Sequence, residues 1–262
     1  MDRFCVILPA AGRSTRFGEA KEKKIYAELD GRAVWLRAVA PFLTRQDVAQ
    51  IILVIAPEDR ELFDRRYQAN VAFMNIQVIE GGAERSDSIA KALAMVHPAC
   101  DFIAIHDAAR PCLTEELVDA VFGAAREHGA AFLAVPVADT IKQAGDDRKT
   151  TGTIPRRNVY LAQTPQVFRR DWLMSAYAER EKLGAAVTDD TQLIEAAGHP
   201  CAIVDGSPFN IKITTKPDLI LAGVILKSQS SLRPAEPSHP FLDEREKWMD
   251  LPKIKPSDLF GN

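Results

Sequence analysis

Three short stretches concentrate residues able to hold and move phosphate. The first runs Pro9-Ala10-Ala11-Gly12-Arg13-Ser14-Thr15-Arg16-Phe17-Gly18 and is followed by Lys21, Lys23 and Lys24. Small side chains let backbone N–H groups approach an anion closely, and the arginines and lysines add charge. It is not a Walker loop, because GxxxxGK[ST] is absent. Nor is it the dinucleotide fingerprint, because Ser14 takes the place of the second glycine. The second stretch, Gly81-Gly82-Ala83-Glu84-Arg85-Ser86-Asp87-Ser88, joins a turn dipeptide to residues that either cap a helix or meet a ligand. The third is His106-Asp107-Ala108-Ala109-Arg110-Pro111. An acidic side chain beside a phosphate loop is a usual way to hold Mg2+, directly or through water. A salt bridge between Asp107 and Arg110 would serve structure alone. His106 reads as a hydrogen-bonding structural residue, since nothing near it completes a nucleophile triad. Thr164-Pro165-Gln166, Thr188-Asp189-Asp190 and Asn210-Ile211-Lys212-Ile213-Thr214 add further polar clusters, each of which alone is equally a loop or a cap.

These stretches follow short apolar, β-branched runs. Strands are expected at Phe4–Leu8, Ile51–Ala56, Ile76–Ile79, Phe102–His106 and Ala131–Val135, with weaker ones near Ala202–Val204 and Ile211–Ile213. Helical periodicity fits Ala33–Leu43, Arg85–Val96, Glu115–Arg126, Leu173–Leu183 and Leu219–Leu226. Thr114 is placed to cap the third of these, with Glu115 and Glu116 at its positive end, and Pro217 suits a first turn. Strands that are apolar throughout and alternate with helices predict an α/β fold: a mostly parallel sheet covered by helices on both faces. In such a sheet ligands bind beyond the carboxyl ends of the strands, where all three stretches fall.

Two segments break the alternation. Asp139 to Arg157 is polar and basic, with Lys142, Arg148, Lys149, Arg156 and Arg157, and reads as a surface loop or a hairpin arm. Gln229 to Asn262 contains Pro234, Pro237, Pro240, Pro252 and Pro256 beside Phe241, Trp248, Leu251 and Phe260, so it either docks or stays extended.

Composition bounds the rest. The 262 residues carry 33 Lys+Arg against 36 Asp+Glu, a net charge of -3, which removes bulk attraction to nucleic acid as a default. Apolar runs such as Ile51–Ala56 fall far short of the roughly 18 residues of a membrane span. The apolar start stops at Pro9, before Arg13 and Arg16, unlike a signal peptide. Cys5, Cys100, Cys112 and Cys201 are scattered, with neither zinc spacing nor a disulfide framework. A cytoplasmic protein with no nucleic-acid or membrane partner is the expectation.

Taken in order, Ala10-Ala11-Gly12-x-x-x-Arg16-Phe17-Gly18…Lys23, Gly81-Gly82-x-Glu84-Arg85-x-Asp87-Ser88, His106–Pro111, Gln163-Thr164-Pro165-Gln166, Thr188-Asp189-Asp190 and Asn210–Thr214 resemble the 2-C-methyl-D-erythritol 4-phosphate cytidylyltransferase family, from about residue 3 to 228. The resemblance implies a Rossmann-like nucleotidyltransferase fold in a cytidylyltransferase domain of residues 1–228, with 229–262 as an extension. It implies a homodimer, CTP as co-substrate with Mg2+ or another divalent cation, and CMP transfer to a polyol phosphate in non-mevalonate isoprenoid synthesis. By the same likeness Arg16 and Lys23 stabilise phosphate charge, and Arg156 and Lys212 hold the acceptor phosphate, with Thr140 near it. Ala10, Ala11, Gly12, Gly82, Ala83 and Ser88 frame the nucleotide. Asp107 lies on the metal side, and Arg110, Thr164 and Thr188 complete the ligand-binding set. The segment 139–157 becomes a dimerisation arm that carries Arg156 into the partner's site.

The residue types suit that chemistry. A phosphate monoester must meet a triphosphate, and each charge pair repels by about 4 kcal/mol at roughly 4 Å in a medium of dielectric about 20. Alignment and neutralisation are therefore the main requirements, and the attacking phosphate is already deprotonated. Lys23 is chosen over Lys21 and Lys24 by its spacing from Arg16, and Arg156 over Arg157 by its eight-residue distance from Thr164. The chain departs from the family pattern at Ser14, at Glu22 before Lys23, and at Phe209, where some members have an acid. Two rival functions stay open on these residues: a ribitol 5-phosphate cytidylyltransferase, and a nucleotide-binding homologue without turnover.

Overall fold

Phe4 to Leu8 are all fully buried, which requires cover on both faces of the strand they form. A computed structural model of the chain describes residues 1–12, 14–17, 23–183 and 189–232. In chain order its elements are β1 (Phe4–Pro9), β2 (Glu28–Leu29), β3 (Arg32–Ala33), α1 (Val34–Leu43), β4 (Val48–Ile55), α2 (Arg60–Phe73), β5 (Ile76–Glu80), α3 (Arg85–Leu93) and β6 (Phe102–Ile105). There follow α4 (Glu115–His128), β7 (Ala130–Pro136), β8 (Ile141–Ala144), β9 (Thr150–Ile154), β10 (Tyr160–Arg169), α5 (Arg170–Ala178), α6 (Asp190–Ala196), β11 (Ala202–Asp205) and α7 (Lys216–Leu232).

Seven strands form one sheet in the order β11-β7-β10-β6-β1-β4-β5, parallel except for β10, which runs against both β6 and β7. Side chains alternate across β1. Phe4, Val6 and Leu8 join Trp35 and Phe42 of α1, Phe63 of α2 and Phe122 of α4 on one face. Cys5 and Ile7 join Ile89 of α3, Leu173 of α5 and Ile194 of α6 on the other. The expected α/β fold, with a mostly parallel sheet covered on both faces, is the one observed. From β1 the chain winds outward through β4 to β5, then returns through α3 to place β6 on the opposite side of β1. That reversal opens a crevice at the carboxyl ends of β1 and β6.

Local chemistry ends the elements as expected for α4, where the Thr114 hydroxyl accepts the Leu117 N–H, Glu115 and Glu116 occupy the first turn, and Gly129 closes the helix at φ 83°. Several expectations need correction. Ile211–Ile213 is not a strand: its segment is held by single contacts, with the Ile213 N–H donating to the Ala109 carbonyl at 2.8 Å. Conversely, β10 runs straight through Gln163–Gln166, where a mid-strand proline argues against pairing; its register on β7 skips between Ala162 and Gln166, accommodating Pro165. Helix α2 has no counterpart among the expected helices, because Phe63 is its one fully buried residue and leaves little apolar periodicity to read.

The basic excursion forms a hairpin in which β8 and β9 pair only with each other, and every residue of β9 is exposed. The chain divides into a unit of Met1–Ile225 and a second of Leu226–Asn262; within the latter the described residues are helical, and the proline-rich run from 233 onward lies outside the described residues. No described helix is long and apolar enough to cross a membrane.

Phe122 stacks on Phe4 with ring centroids 3.9 Å apart and is fully buried. Phe122→Ala should cost about 3–5 kcal/mol of unfolding free energy, measured by urea denaturation. A loss below about 1 kcal/mol would contradict this packing.

Candidate active site

At the crevice between β1 and β6 lies a cavity of about 230 Å³. Its walls come from Pro9 at the end of β1 and Ala10 to Gly12 after it, Lys24 and Ile25, Gly82 to Arg85 with Ser88 at the start of α3, Asp107 and Ala109 after β6, and Lys212.

The loop after β1 turns at Ser14, whose φ of 54° lies in the region glycine favours. The Ser14 hydroxyl accepts the Lys24 N–H at 3.4 Å, tying the two roots of the loop together. Two consecutive lysines then part company. Lys23 Nζ is bonded to Glu58 at 2.9 Å and Asp59 at 2.8 Å, beneath the turn that follows β4, and does not line the cavity. Lys24 does line it. Burial and then the charge of Lys212 hold the Lys24 ammonium below the usual lysine range, against the attraction of Asp107; the Arg16 charge acts on it too. Of the two, Lys24 and not the expected Lys23 is the lysine at the cavity. Spacing from Arg16 could not reveal the two carboxylates that claim Lys23.

The paired glycines allow a close approach of loop to loop. A Cβ on Gly81 would lie 2.6 Å from Ser88 Oγ and 2.9 Å from Ala11 Cβ. The Ser88 hydroxyl accepts the Gly82 N–H at 3.0 Å. Glu84 and Asp87 form a capping box on α3, whose positive end opens into the cavity. Arg85, the first residue of that helix, lines the cavity and has no role among the sequence expectations. A cation there opposes the helix dipole, and that mismatch is the signal that could mark it. Its Nη2 donates to Asp190 Oδ2 at 2.7 Å, and its Nε stands 3.9 Å from Asp107 Oδ1.

Asp107 is the acidic centre. Lys212 Nζ touches its Oδ2 at 2.7 Å, and Arg110 Nε lies 3.8 Å away. Burial opposes ionisation of this carboxyl, but the charges of Lys212, Arg85 and Arg110 outweigh it and hold the group well below the usual carboxylate range. Among the described residues no cluster of three or more His, Cys, Asp or Glu could hold a metal.

Two residues of the expected ligand-binding set lie outside the cavity lining and make contacts within the scaffold. Arg110 does not line the cavity; its guanidinium donates to the carbonyls of Asn210 at 2.7 Å and Ala162 at 3.5 Å. The hydroxyl of Thr164, also outside the lining, accepts the Asp107 N–H at 3.0 Å and meets His106 Nδ1 at 3.1 Å. Buried Asn210 donates to the Thr164 carbonyl at 3.0 Å, so β10 fixes the segment that presents Lys212. His106 is structural: burial lowers its imidazole to about 4, and Nε2 meets the Arg110 carbonyl at 3.1 Å.

The structure thus brings together Ala10, Ala11, Gly12, Gly82, Ala83, Ser88, Asp107 and Lys212, with Arg16 exposed nearby. Thr140 and Arg156 are exposed just before and just after the hairpin and do not line this chain's cavity. Thr188 lies outside the described residues.

An open sheet with a cation-rich cavity at its switch point defines this chain as a Rossmann-like nucleotidyltransferase. A sequence profile of 2-C-methyl-D-erythritol 4-phosphate cytidylyltransferase matches residues 4–228, and the chain belongs to that family. The enzyme of that name from Rhodopirellula baltica is 42% identical over 232 residues, 84% of this chain and 93% of that protein. The one from Alkaliphilus oremlandii is 36% identical over 230 residues, 87% of this chain and 97% of its own. The crystal structure of 4-diphosphocytidyl-2C-methyl-D-erythritol synthase from Anaerococcus prevotii is similar at a TM-score of 0.73 and 30% identity, covering 86% of this chain and 96% of that one. The cytidylyltransferase structure from Thermus thermophilus has a TM-score of 0.71 at 30% identity and covers 87% and 100%.

The neutral His106 makes stability depend on pH. The unfolded chain protonates this imidazole near 6.5, whereas the folded protein excludes the proton down to about 4. Stability should therefore fall as pH drops through that window, by up to about 3 kcal/mol from this residue alone. His106→Gln should lose less stability than the wild type between pH 7 and 4.5 in urea titrations; equal slopes would contradict a buried neutral histidine.

Proposed function

We propose that this chain transfers CMP from CTP to 2-C-methyl-D-erythritol 4-phosphate, giving 4-diphosphocytidyl-2-C-methyl-D-erythritol and pyrophosphate in non-mevalonate isoprenoid synthesis. The observation that carries this reading is the convergence of Lys24, Arg85 and Lys212 around one ionised carboxylate at the switch point, in a chain of this family. The names of the relatives described favour methylerythritol over ribitol: three carry methylerythritol 4-phosphate and the fourth its diphosphocytidyl derivative.

The acceptor's phosphate oxygen forms a bond to the α-phosphorus as the bond to the β-phosphate oxygen breaks. Pyrophosphate takes the electron pair, so no proton need move at the attacking atom. Gly12, Gly82, Ala83 and Ser88 frame the nucleotide, and the positive end of α3 faces its phosphates. Lys24 and Arg16 neutralise the charge that grows on the leaving pyrophosphate. Lys212, 43% exposed, can swing from Asp107 to the acceptor phosphate. Mg2+ suits a donor set of one protein carboxylate plus substrate phosphates, which is what Asp107 and a bound triphosphate offer. Bound there it would draw charge from the phosphates.

A separate two-stranded hairpin with one fully exposed strand is marginal alone. This supports a homodimer in which the arm is covered and Arg156 reaches the acceptor phosphate in the partner's cavity, with Thr140 close by. Thr188 is assigned to the acceptor side by family likeness.

The test is incubation of the pure protein with CTP, Mg2+ and each polyol phosphate: pyrophosphate should appear with methylerythritol phosphate, and release with ribitol phosphate only would refute the assignment. Lys24→Ala should lower kcat by about 10²–10³, whereas Lys23→Ala should act through loop position and cost about tenfold or less. The reverse order in steady-state kinetics would restore Lys23 to the phosphates. Mixing inactive Arg156→Ala chains with inactive Lys24→Ala chains should recover activity, because one composite site escapes both defects. No recovery in verified heterodimers would refute the crossing arm.

A further inference from the structure

Three cations face Asp107, yet only one touches it. Lys212 Nζ is 2.7 Å from Oδ2, while Arg110 Nε and Arg85 Nε stop at 3.8 Å and 3.9 Å. An arginine beside a carboxylate ordinarily closes into two parallel charge-assisted hydrogen bonds. Something holds both guanidinium groups back. For Arg110 it is the pair of backbone carbonyls of Asn210 and Ala162. For Arg85 it is a second carboxylate, Asp190, which accepts from Nη2 at 2.7 Å.

Asp190 is built to stay where it is. It has no solvent exposure, sits in the first turn of α6, and receives the Tyr177 hydroxyl on Oδ1 at 2.5 Å. Asp189, just before it, caps the same helix through the Thr191 N–H at 2.8 Å. Arg85 is therefore stretched between an anchored acid on α6 and the reactive acid after β6, while its side chain lines the cavity. Burying a carboxylate is costly and seldom stabilises a fold more than an apolar residue would.

We propose that Asp190 is a positioning residue: by taking one edge of Arg85 it keeps that guanidinium from closing on Asp107, so that the Asp107 carboxylate exchanges its Lys212 contact for a divalent cation when nucleotide binds. This inference rests on the assignment of Asp107 to the metal side under the proposed function. Without the charge of Asp190, Arg85 would pair with Asp107 and compete with the cation.

The experiment is Mn2+ binding to the full-length protein with CTP and no acceptor, followed by electron paramagnetic resonance. Asp190→Asn should weaken Mn2+ binding about tenfold, the scale of losing a group behind a metal ligand. Arg85→Met in the same chain removes the competitor, so the double variant should bind Mn2+ as tightly as Arg85→Met alone. A merely structural role for Asp190 would leave the double variant as weak as Asp190→Asn, and that result overturns the inference, as does an Asp190→Asn affinity equal to the wild type. If Asp190→Asn does not fold, Tyr177→Phe keeps both charges and only loosens the anchor. It should weaken Mn2+ at least about threefold, and an unchanged affinity overturns the inference. Failure of the wild type itself to bind Mn2+ with CTP would instead refute the reading of Asp107, and this inference with it.

Discussion

Phosphate groups repel one another, and a site that joins two of them must supply positive charge without locking it onto its own acids. Each pairwise repulsion is about 4 kcal/mol at contact in a half-screened site, so several cations are needed. Those cations also attract Asp107. The arrangement resolves the conflict by restraint: Arg85 is held by Asp190 and Arg110 by two carbonyls, while the half-exposed Lys212 alone makes direct contact. Lys24 approaches from the opposite wall, where burial and its like-charged neighbours leave its ammonium poorly compensated. Such a cation gains most from an incoming anion.

The fold supplies that restraint through polar residues that never face the cavity. His106, Thr164, Asn210 and Arg110 form one hydrogen-bonded band that joins β6, the antiparallel β10 and the segment bearing Lys212. Because β10 runs between β6 and β7, the residues around Pro165 arrive beside the end of β6 and support Asp107 from below. Lys23 is held by Glu58 and Asp59 outside the cavity, while the next residue, Lys24, lines it. The reactive groups are few; the groups that hold them are many.

Much of this is legible in the amino-acid sequence. Apolar runs such as Phe4–Leu8 announce parallel strands covered on both faces, and glycine-bearing turns after them locate the crevice. The features that are not legible depend on partners distant in sequence. Lys23 and Lys24 are equivalent by composition, and the carboxylates that separate them lie 35 and 36 positions away from Lys23. Arg110 and Thr164 sit in motifs rich in ligand-binding residue types, yet the backbone groups among their partners, the Asn210 carbonyl and the Asp107 N–H, are ones no side-chain pattern encodes. Strand β10 is masked by Pro165, because a local breaker says nothing about a ladder that skips it. Ile211–Ile213 has the apolar alternation of a strand, but its pairing is a single bond to Ala109.

The most direct measurement is a crystal structure of the protein with CTP, Mg2+ and methylerythritol phosphate. The triphosphate should lie between Gly12, Lys24 and the start of α3, with the acceptor phosphate on Lys212 and the partner's arm closing the site. A triphosphate lodged away from the turn after β1, or Lys24 directed into solvent, would contradict this arrangement.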